Sequence, residues 1–189
     1  QGMTAEEILN FFYTTIEYKK NKFGWQFKEN ISFYKAKILS YDFLDSNNGK
    51  TILSKGSKLN QKSINELLKK KINSLTIEES SLLGHYLSSD IINEKTGKIF
   101  YEAGFEIDQD FINFINEKKI TKIDILKVDN IEIGSYIRST LQLDKARSRE
   151  EALFEIFKIL RPGEPPTIET AELLFNNLFF NSDRYDLSA

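Results

Sequence analysis

An internal repeat constrains the fold of this 189-residue chain more than any other feature of its sequence. Residues 36–77 align without a gap to residues 84–125, each position matching the one 48 residues further on, as Gly97 matches Gly49. Two copies are too few for a solenoid. The repeat therefore predicts a β-rich module with pseudo-twofold symmetry. Other aligned pairs are Lys50 with Lys98, Gly56 with Gly104, Gln61 with Gln109, and Lys70-Lys71-Ile72 with Lys118-Lys119-Ile120.

Each repeat unit reads as a strand, a Gly turn, a second strand, a capped helix and a third strand. Asn60 and Asp108 occupy the position where a helix N-cap is expected. Apolar residues at helical spacing follow both caps, and apolar residues that alternate like a strand follow both helices. The module should therefore contain two helices. The alternating residues are Ile72, Leu75 and Ile77 in one unit and Ile120, Ile123 and Ile125 in the other.

Helices are also predicted on both sides of the duplicated module. Thr4 to Glu7 and Ser148 to Glu151 are capping boxes that precede apolar runs, and Thr167 caps a last helix. Between the first helix and the module, the segment from Thr14 to Phe27 surrounds Lys20-Asn21-Lys22-Phe23-Gly24 and is a hairpin candidate.

These elements predict an α+β fold. Residues 3–30 and 130–189 are expected to form a mostly helical portion of the protein. Residues 31–129 are expected to form the β-rich module, inserted into that portion. Gln1 and Gly2 resemble a tag remnant, and both ends of the chain suggest an excised piece of a longer protein.

The composition excludes several classes of site. The absence of cysteine excludes a disulfide scaffold, a thiol nucleophile and Cys-ligated metals. A single histidine, His85, argues against a Ser–His–Asp site, and it reads as an ordinary half-buried histidine rather than a metal ligand. A net charge of −2 limits any nucleic-acid contact to a local patch. With no apolar run of about 20 residues and no secretion signal, a cytoplasmic protein is expected.

No catalytic or metal-binding constellation stands out, but two arginines do. All five arginines lie in the last third of the chain, while every strong base upstream is lysine. Arg161 ends a predicted helix before a proline-rich loop, and Arg184 follows the last helix. Either guanidinium could reach a phosphate or a base edge. The alternative is an ion pair within the protein, to Glu164 or Asp186.

Two sets of lysines have two possible interpretations each. Lys50 and Lys98 follow glycine in predicted turns, as the modified lysine of a biotin or lipoate carrier does, but their presence in both copies favours a turn feature. The helix-terminal run Lys69, Lys70 and Lys71 suits the negative end of the helix dipole. It is either a solvated face or a docking point for an anionic partner.

Five segments of the last third of the chain carry a family resemblance: Ile137–Leu141, Glu151–Ile156, Arg161–Thr167, Ala171–Phe180 and Asp183–Ala189. Together they closely resemble the bacterial RNA polymerase β subunit. Upstream, residues 4–12 and the duplicated module resemble the lineage-specific external insertion in the β lobe of proteobacterial enzymes.

The resemblance implies a lobe at one jaw of the DNA channel of a multi-subunit, nucleotidyl-transferring enzyme. It places Arg161 and Arg184 near DNA, and it makes the insertion a surface for accessory transcription regulators. The implied partners are DNA, the α, β′, ω and σ subunits, and such regulators. The catalytic magnesium and its ligands belong to β′, so this part would hold no cofactor and perform no catalysis. The alternative function is a free-standing interaction module or an acyl or biotin carrier-like scaffold.

Overall fold

In the computed structural model of the protein, residues 3–69, 74–129, 132–146 and 148–184 are described, the side chains of residues 66–69 excepted. Within these ranges the fold is α+β, as the sequence predicts. The helices are α1 (Ala5–Phe12), α2 (Gln61–Lys69), α3 (Gln109–Glu117), α4 (Tyr136–Leu143), α5 (Arg149–Leu160) and α6 (Ile168–Phe179). The strands are β1 (Thr15–Asn21), β2 (Gly24–Phe27), β3 (Phe43–Asp45), β4 (Thr51–Leu53), β5 (Leu75–Ile77), β6 (Ile91–Ile92), β7 (Ile99–Tyr101) and β8 (Lys122–Leu126).

The strands form one antiparallel sheet of six strands in the order β4-β3-β5-β2-β1-β8, and β6 and β7 form a separate pair. The predicted hairpin of β1 and β2 lies inside the larger sheet. On one side β2 pairs with the last strand of the first repeat, and on the other β1 pairs with the last strand of the second. The hairpin therefore joins the two copies.

The structure repeats with the period found in the sequence, and it repeats from further upstream. Each unit begins with a 3-10 turn, Ile31–Tyr34 in the first and Glu79–Leu82 in the second. The backbone N–H of Ala36 then donates to Leu59 at 2.9 Å, and that of Gly84 donates to Ile107 at the same distance. Since 79 minus 31 is 48, the turns belong to the repeat although their sequences differ.

The two copies differ in how their first hairpin is placed. In the first copy β3 pairs with both β4 and β5, so the hairpin extends the large sheet. In the second copy β6 and β7 pair only with each other among the named strands. There Leu87 bridges Ile125 instead, and the Ser88 N–H donates to the Asp124 carbonyl at 2.9 Å. The symmetry is therefore local rather than complete.

The core of the β-rich part is aromatic. Trp25 and Phe27 on β2, Phe43 on β3 and Phe111 on α3 are all fully buried. The single tryptophan is thus a packed strand residue, and its indole N–H donates to Glu79 Oε1 at 3.2 Å. This core fixes the hairpin between the repeat units.

Contacts divide the described residues differently from the predicted boundaries at residues 30 and 130. One compact unit is Thr4–Ser139, and the described residues from Thr140 on belong to a second. The hairpin lies in the first unit because its strands are hydrogen-bonded to both repeats. In the second unit α5 and α6 pack around a small core of Leu153, Phe157 and Ala171. A lobe portion shared by residues 3–30 and 130–189 stays a prediction.

Within the described ranges, every helix is too short or too polar to cross a membrane.

Candidate functional site

Arg161 is presented on the surface at the end of α5. Its backbone N–H closes the helix by donating to the Phe157 carbonyl at 2.7 Å. The side chain is 56% exposed, and its Nη1 lies 3.5 Å from Glu164 Oε1. This is the internal ion pair that the sequence offered as an alternative. Because an exposed pair of this kind contributes at most about 1 kcal/mol, the guanidinium is available to a stronger anion.

Arg184 is also exposed, in the turn that follows α6. Its backbone N–H donates to the Asn181 carbonyl at 3.0 Å. The alternative partner named from the sequence, Asp186, lies outside the described residues. Arg161 and Arg184 belong to the same compact unit.

The other described arginines make contacts within the protein. Arg149 pairs with Glu172 and so connects α5 to α6. Arg138 lies with its guanidinium over the ring of Tyr86 and donates from Nε to the carbonyl of Gly104 at 2.7 Å. Arg138 thus uses the planar, multi-donor shape of its guanidinium to bind groups of the protein itself.

The candidate docking lysines are only partly described. Lys69 is the last residue of α2, its side chain is not described, and Lys70 and Lys71 lie outside the described residues. The predicted regulator contact at these three positions is therefore untested.

The turn lysines Lys50 and Lys98 are both exposed. Each follows a glycine with positive φ, +72° at Gly49 and +68° at Gly97, a conformation that glycine adopts without strain. The equivalent geometry in both copies is the one expected of a repeated turn.

His85 is partly buried against the first repeat unit. Its ring centre lies 5.7 Å from that of Tyr41, and its Nδ1 lies 3.2 Å from the Leu82 carbonyl oxygen. Burial lowers the pKa of His85, and hydrogen bonding to the backbone of Leu82 and Leu83 opposes that shift. The described part of the chain brings together no group of three metal-ligating side chains.

The structure also contains a cleft that sequence reasoning missed. It has a volume of about 590 Å³ and lies within the unit Thr4–Ser139. Equivalent loops of the two repeats line it, the first through Tyr41 and the second through His85. Tyr18 of β1 and Tyr34 of the first 3-10 turn also face it. No motif reveals the cleft, because these residues are brought together only by the tertiary fold.

Two ion pairs flank a phenylalanine along this cleft. Lys37 pairs with Asp129 at 2.6 Å, and Lys127 pairs with Glu29 at 3.1 Å. The two ammonium groups lie 3.5 and 3.6 Å from the ring centre of Phe33. The charges on this wall are therefore compensated within the protein.

Burial controls the protonation of the tyrosines in the cleft. It raises the pKa of Tyr41 to about 12, with a smaller contribution from the charge of Glu29. Burial likewise raises the pKa of Tyr18 and of Tyr34, with contributions from the other tyrosines and from Glu29. All three hydroxyls are therefore protonated near neutral pH and able to donate hydrogen bonds.

Comparison with known proteins identifies relatives of the chain. No protein-family model matches it. It is, however, 50% identical over 188 residues to the DNA-directed RNA polymerase subunit beta of Brucella canis, of Brucella suis and of Brucella abortus. Each alignment covers 100% of this chain and 14% of the relative, so the chain spans about a seventh of the length of these proteins. Along its whole length, the chain is homologous to one part of the β subunit of DNA-directed RNA polymerase.

Proposed function

We propose that this chain forms part of the wall of the DNA channel in RNA polymerase and offers a surface to transcription regulators, without catalysing a reaction itself. The observation that carries the proposal is the 50% identity to polymerase β subunits along the whole chain. On this proposal the partners are DNA and the α, β′, ω and σ subunits. The catalytic magnesium is held by another subunit of the complex.

Arg161 and Arg184 are the proposed DNA-proximal residues. Both are exposed and lie in one compact unit. An arginine contact to a phosphate positions nucleic acid without reading its sequence. Two such contacts on a protein of net charge −2 are too few to hold DNA alone. They would guide DNA that the rest of the complex already holds.

The test is to measure promoter open complexes formed by the intact polymerase with Arg161→Ala, Arg184→Ala and both. We expect the lifetime of the complex to fall about threefold per residue and its salt dependence to weaken by about one phosphate contact each. Lys158→Ala is the matched control, because Lys158 is 57% exposed and pairs with Glu155 three residues away, as Arg161 pairs with Glu164. Lifetimes equal to that of the control would contradict the DNA contact.

The regulator surface is proposed to lie on the duplicated module. Most of its charged side chains are on the surface, and the aromatic core does not need them. The segment that contains the module begins and ends at neighbouring positions of the backbone. The Lys127 N–H donates to the Thr14 carbonyl at 2.8 Å, so the two ends of the segment between them are adjacent.

Replacing residues 15–126 by a short Gly-Ser linker in the intact polymerase should therefore leave the surrounding fold connected. We expect basal RNA synthesis to be retained and the response to a regulator that uses this surface to be lost. Loss of basal synthesis would show instead that the module supports the enzyme. A modified Lys50 or Lys98 in the mass spectrum of the native protein would favour the carrier alternative.

A further inference from the structure

Tyrosine hydroxyl groups that no described residue hydrogen-bonds open into the cleft between the repeat units. Tyr18 is only 3% exposed, and neither its hydroxyl nor that of Tyr34 has a hydrogen-bond partner among the described residues. The hydroxyl of Tyr41 lies 3.5 Å from His85 Nε2, at the limit of a hydrogen bond. Among the described side chains, the atom that is fully buried without a partner is Ser88 Oγ, so the unpartnered tyrosine hydroxyls are accessible from the cleft. A donor held in a cleft without a partner in the protein is placed to bind a ligand there.

These hydroxyls are oriented by the aromatic core beneath them. The ring of Tyr18 stacks on Phe27 with a centroid distance of 4.7 Å. The rings of Tyr34 and Tyr41 pack edge-on against Phe43 at 5.0 and 5.4 Å. Because the rings are held by packing, the donors are fixed in place before any ligand arrives. Such preorganisation lowers the cost of binding.

The charge of the cleft selects against ions. On the wall around Phe33 each lysine is already paired with a carboxylate. Three lysines and four acidic residues line the cleft in all, so no excess of positive charge is present to attract an anion. The lysines are Lys37, Lys55 and Lys127, and the acids are Glu29, Asp42, Glu78 and Asp129.

We propose that this cleft binds a small uncharged ligand that bears an amide group. The amide oxygen would accept hydrogen bonds from Tyr18 and Tyr34, and the amide N–H would donate to oxygens on the rim, where Ser40 and Ser80 lie. A volume of about 590 Å³ is within the usual range for small-molecule sites. Ile16 and Leu126 supply apolar contacts for the rest of the ligand. This site is independent of the proposed contacts with DNA and regulators.

Benzamide and benzoate are suitable probes because they have the same shape and differ in charge. We would label the full 189-residue chain with 3-fluorotyrosine and titrate each probe while recording fluorine NMR spectra. Benzamide should shift the signals of Tyr18 and Tyr34 and saturate in the millimolar range, and benzoate should bind at least tenfold more weakly. Tyr18→Phe and Tyr34→Phe should each weaken benzamide binding at least fivefold. No saturable shift, equal affinity for benzoate, or unchanged affinity in both variants would overturn the proposal.

A second measurement separates a ligand-binding hydroxyl from a structural one. Tyr13 is the matched control, because its hydroxyl donates to the Gly134 carbonyl and accepts from the Ile137 N–H, both at 3.1 Å. Tyr13→Phe should lower the melting temperature by several degrees. Tyr18→Phe should change it by less than the control does, since the Tyr18 hydroxyl makes no hydrogen bond to a described residue and its loss breaks none within the fold. A loss in Tyr18→Phe as large as that in Tyr13→Phe would show a structural hydroxyl and overturn the proposal.

Discussion

The guanidinium of Arg138 lies 4.5 Å from the centre of the Tyr86 ring, which belongs to the second repeat unit. In the same position its Nε donates to the Gly104 carbonyl, and Nη1 lies 3.8 Å from Glu106 Oε2. Only a planar cation with several donors makes all of these contacts at once. Arg138 therefore ties the start of α4 to the duplicated module.

Replacing Arg138 by lysine keeps the charge and removes the planar group. We expect Arg138→Lys to lower the free energy of unfolding by about 1–2 kcal/mol, from the lost stacking and the lost hydrogen bond. Urea denaturation would measure the change. Arg149→Lys is the control, because Arg149 is 59% exposed in its pair with Glu172. That substitution should change the unfolding free energy by less than about 0.5 kcal/mol. Equal effects of the two substitutions would show that the planar contacts of Arg138 add nothing.

A second prediction concerns the stability of the protein at mildly acidic pH. Burial lowers the pKa of His85 in the folded protein below the value near 6.5 of the unfolded chain. The unfolded state then binds the proton more readily, so the stabilisation present above pH 6.5 is lost as the pH falls from about 6.5 through the folded pKa. Between pH 7.5 and 5.5 the melting temperature of the wild type should drop.

The His85→Gln variant tests the assignment. It lacks the titrating ring, so its melting temperature should change less over the same pH interval. Glu79, whose pKa is lowered by hydrogen bonds from Lys20, Asn116 and Trp25 against the effect of burial, loses its contribution only at more acidic pH. If the variant and the wild type lost stability in parallel from pH 7.5 to 5.5, another group would be responsible.

Features that depend on neighbours in the chain were predictable from the sequence. The cap at Asp108, the turn at Gly97 and the helix end at Arg161 each follow from local chemistry, and the structure confirms all three. The pair between Arg161 and Glu164 also falls in this class, because only three residues separate its members.

Features that depend on the tertiary fold were not predictable. The sequence indicated the β1–β2 hairpin but not its place between the repeat units, which is set by pairing across about 50 residues to β5 and 100 residues to β8. The cleft also could not be predicted from the sequence. Tyr18, Tyr34 and Tyr41 come from a strand, a turn and a loop, and nothing in their spacing indicates that their hydroxyls share one space.

The close approach of the hairpin to β5 gives a third prediction. Gly24 has a φ of +144°, and a Cβ atom there would lie 2.1 Å from the carbonyl oxygen of Ile77. Because backbone on both sides must move, Gly24→Ala should cost about 3 kcal/mol or more of unfolding free energy. Gly56→Ala is the control. Its φ is +78°, but its Cβ would meet open space, so only the backbone strain of about 1–2 kcal/mol is expected. Thermal unfolding that ranks Gly56→Ala as the more damaging change would contradict this packing.

The fourth prediction uses the repeat as its own control. Asp108 Oδ1 accepts from the Phe111 N–H at 2.8 Å, and Asn60 Oδ1 accepts from the Ser63 N–H at 2.9 Å, so the two residues cap equivalent helices. Either residue changed to alanine should lose about 1 kcal/mol of stability. Only the aspartate adds a charge at the positive end of the helix dipole, an interaction that salt screens. The loss of stability in Asp108→Ala should therefore be smaller in 1 M than in 0.05 M sodium chloride. The Debye length falls from about 13 Å to about 3 Å between these concentrations. The loss in Asn60→Ala should stay constant, and an equal salt response in both variants would show that the charge of Asp108 does not stabilise α3.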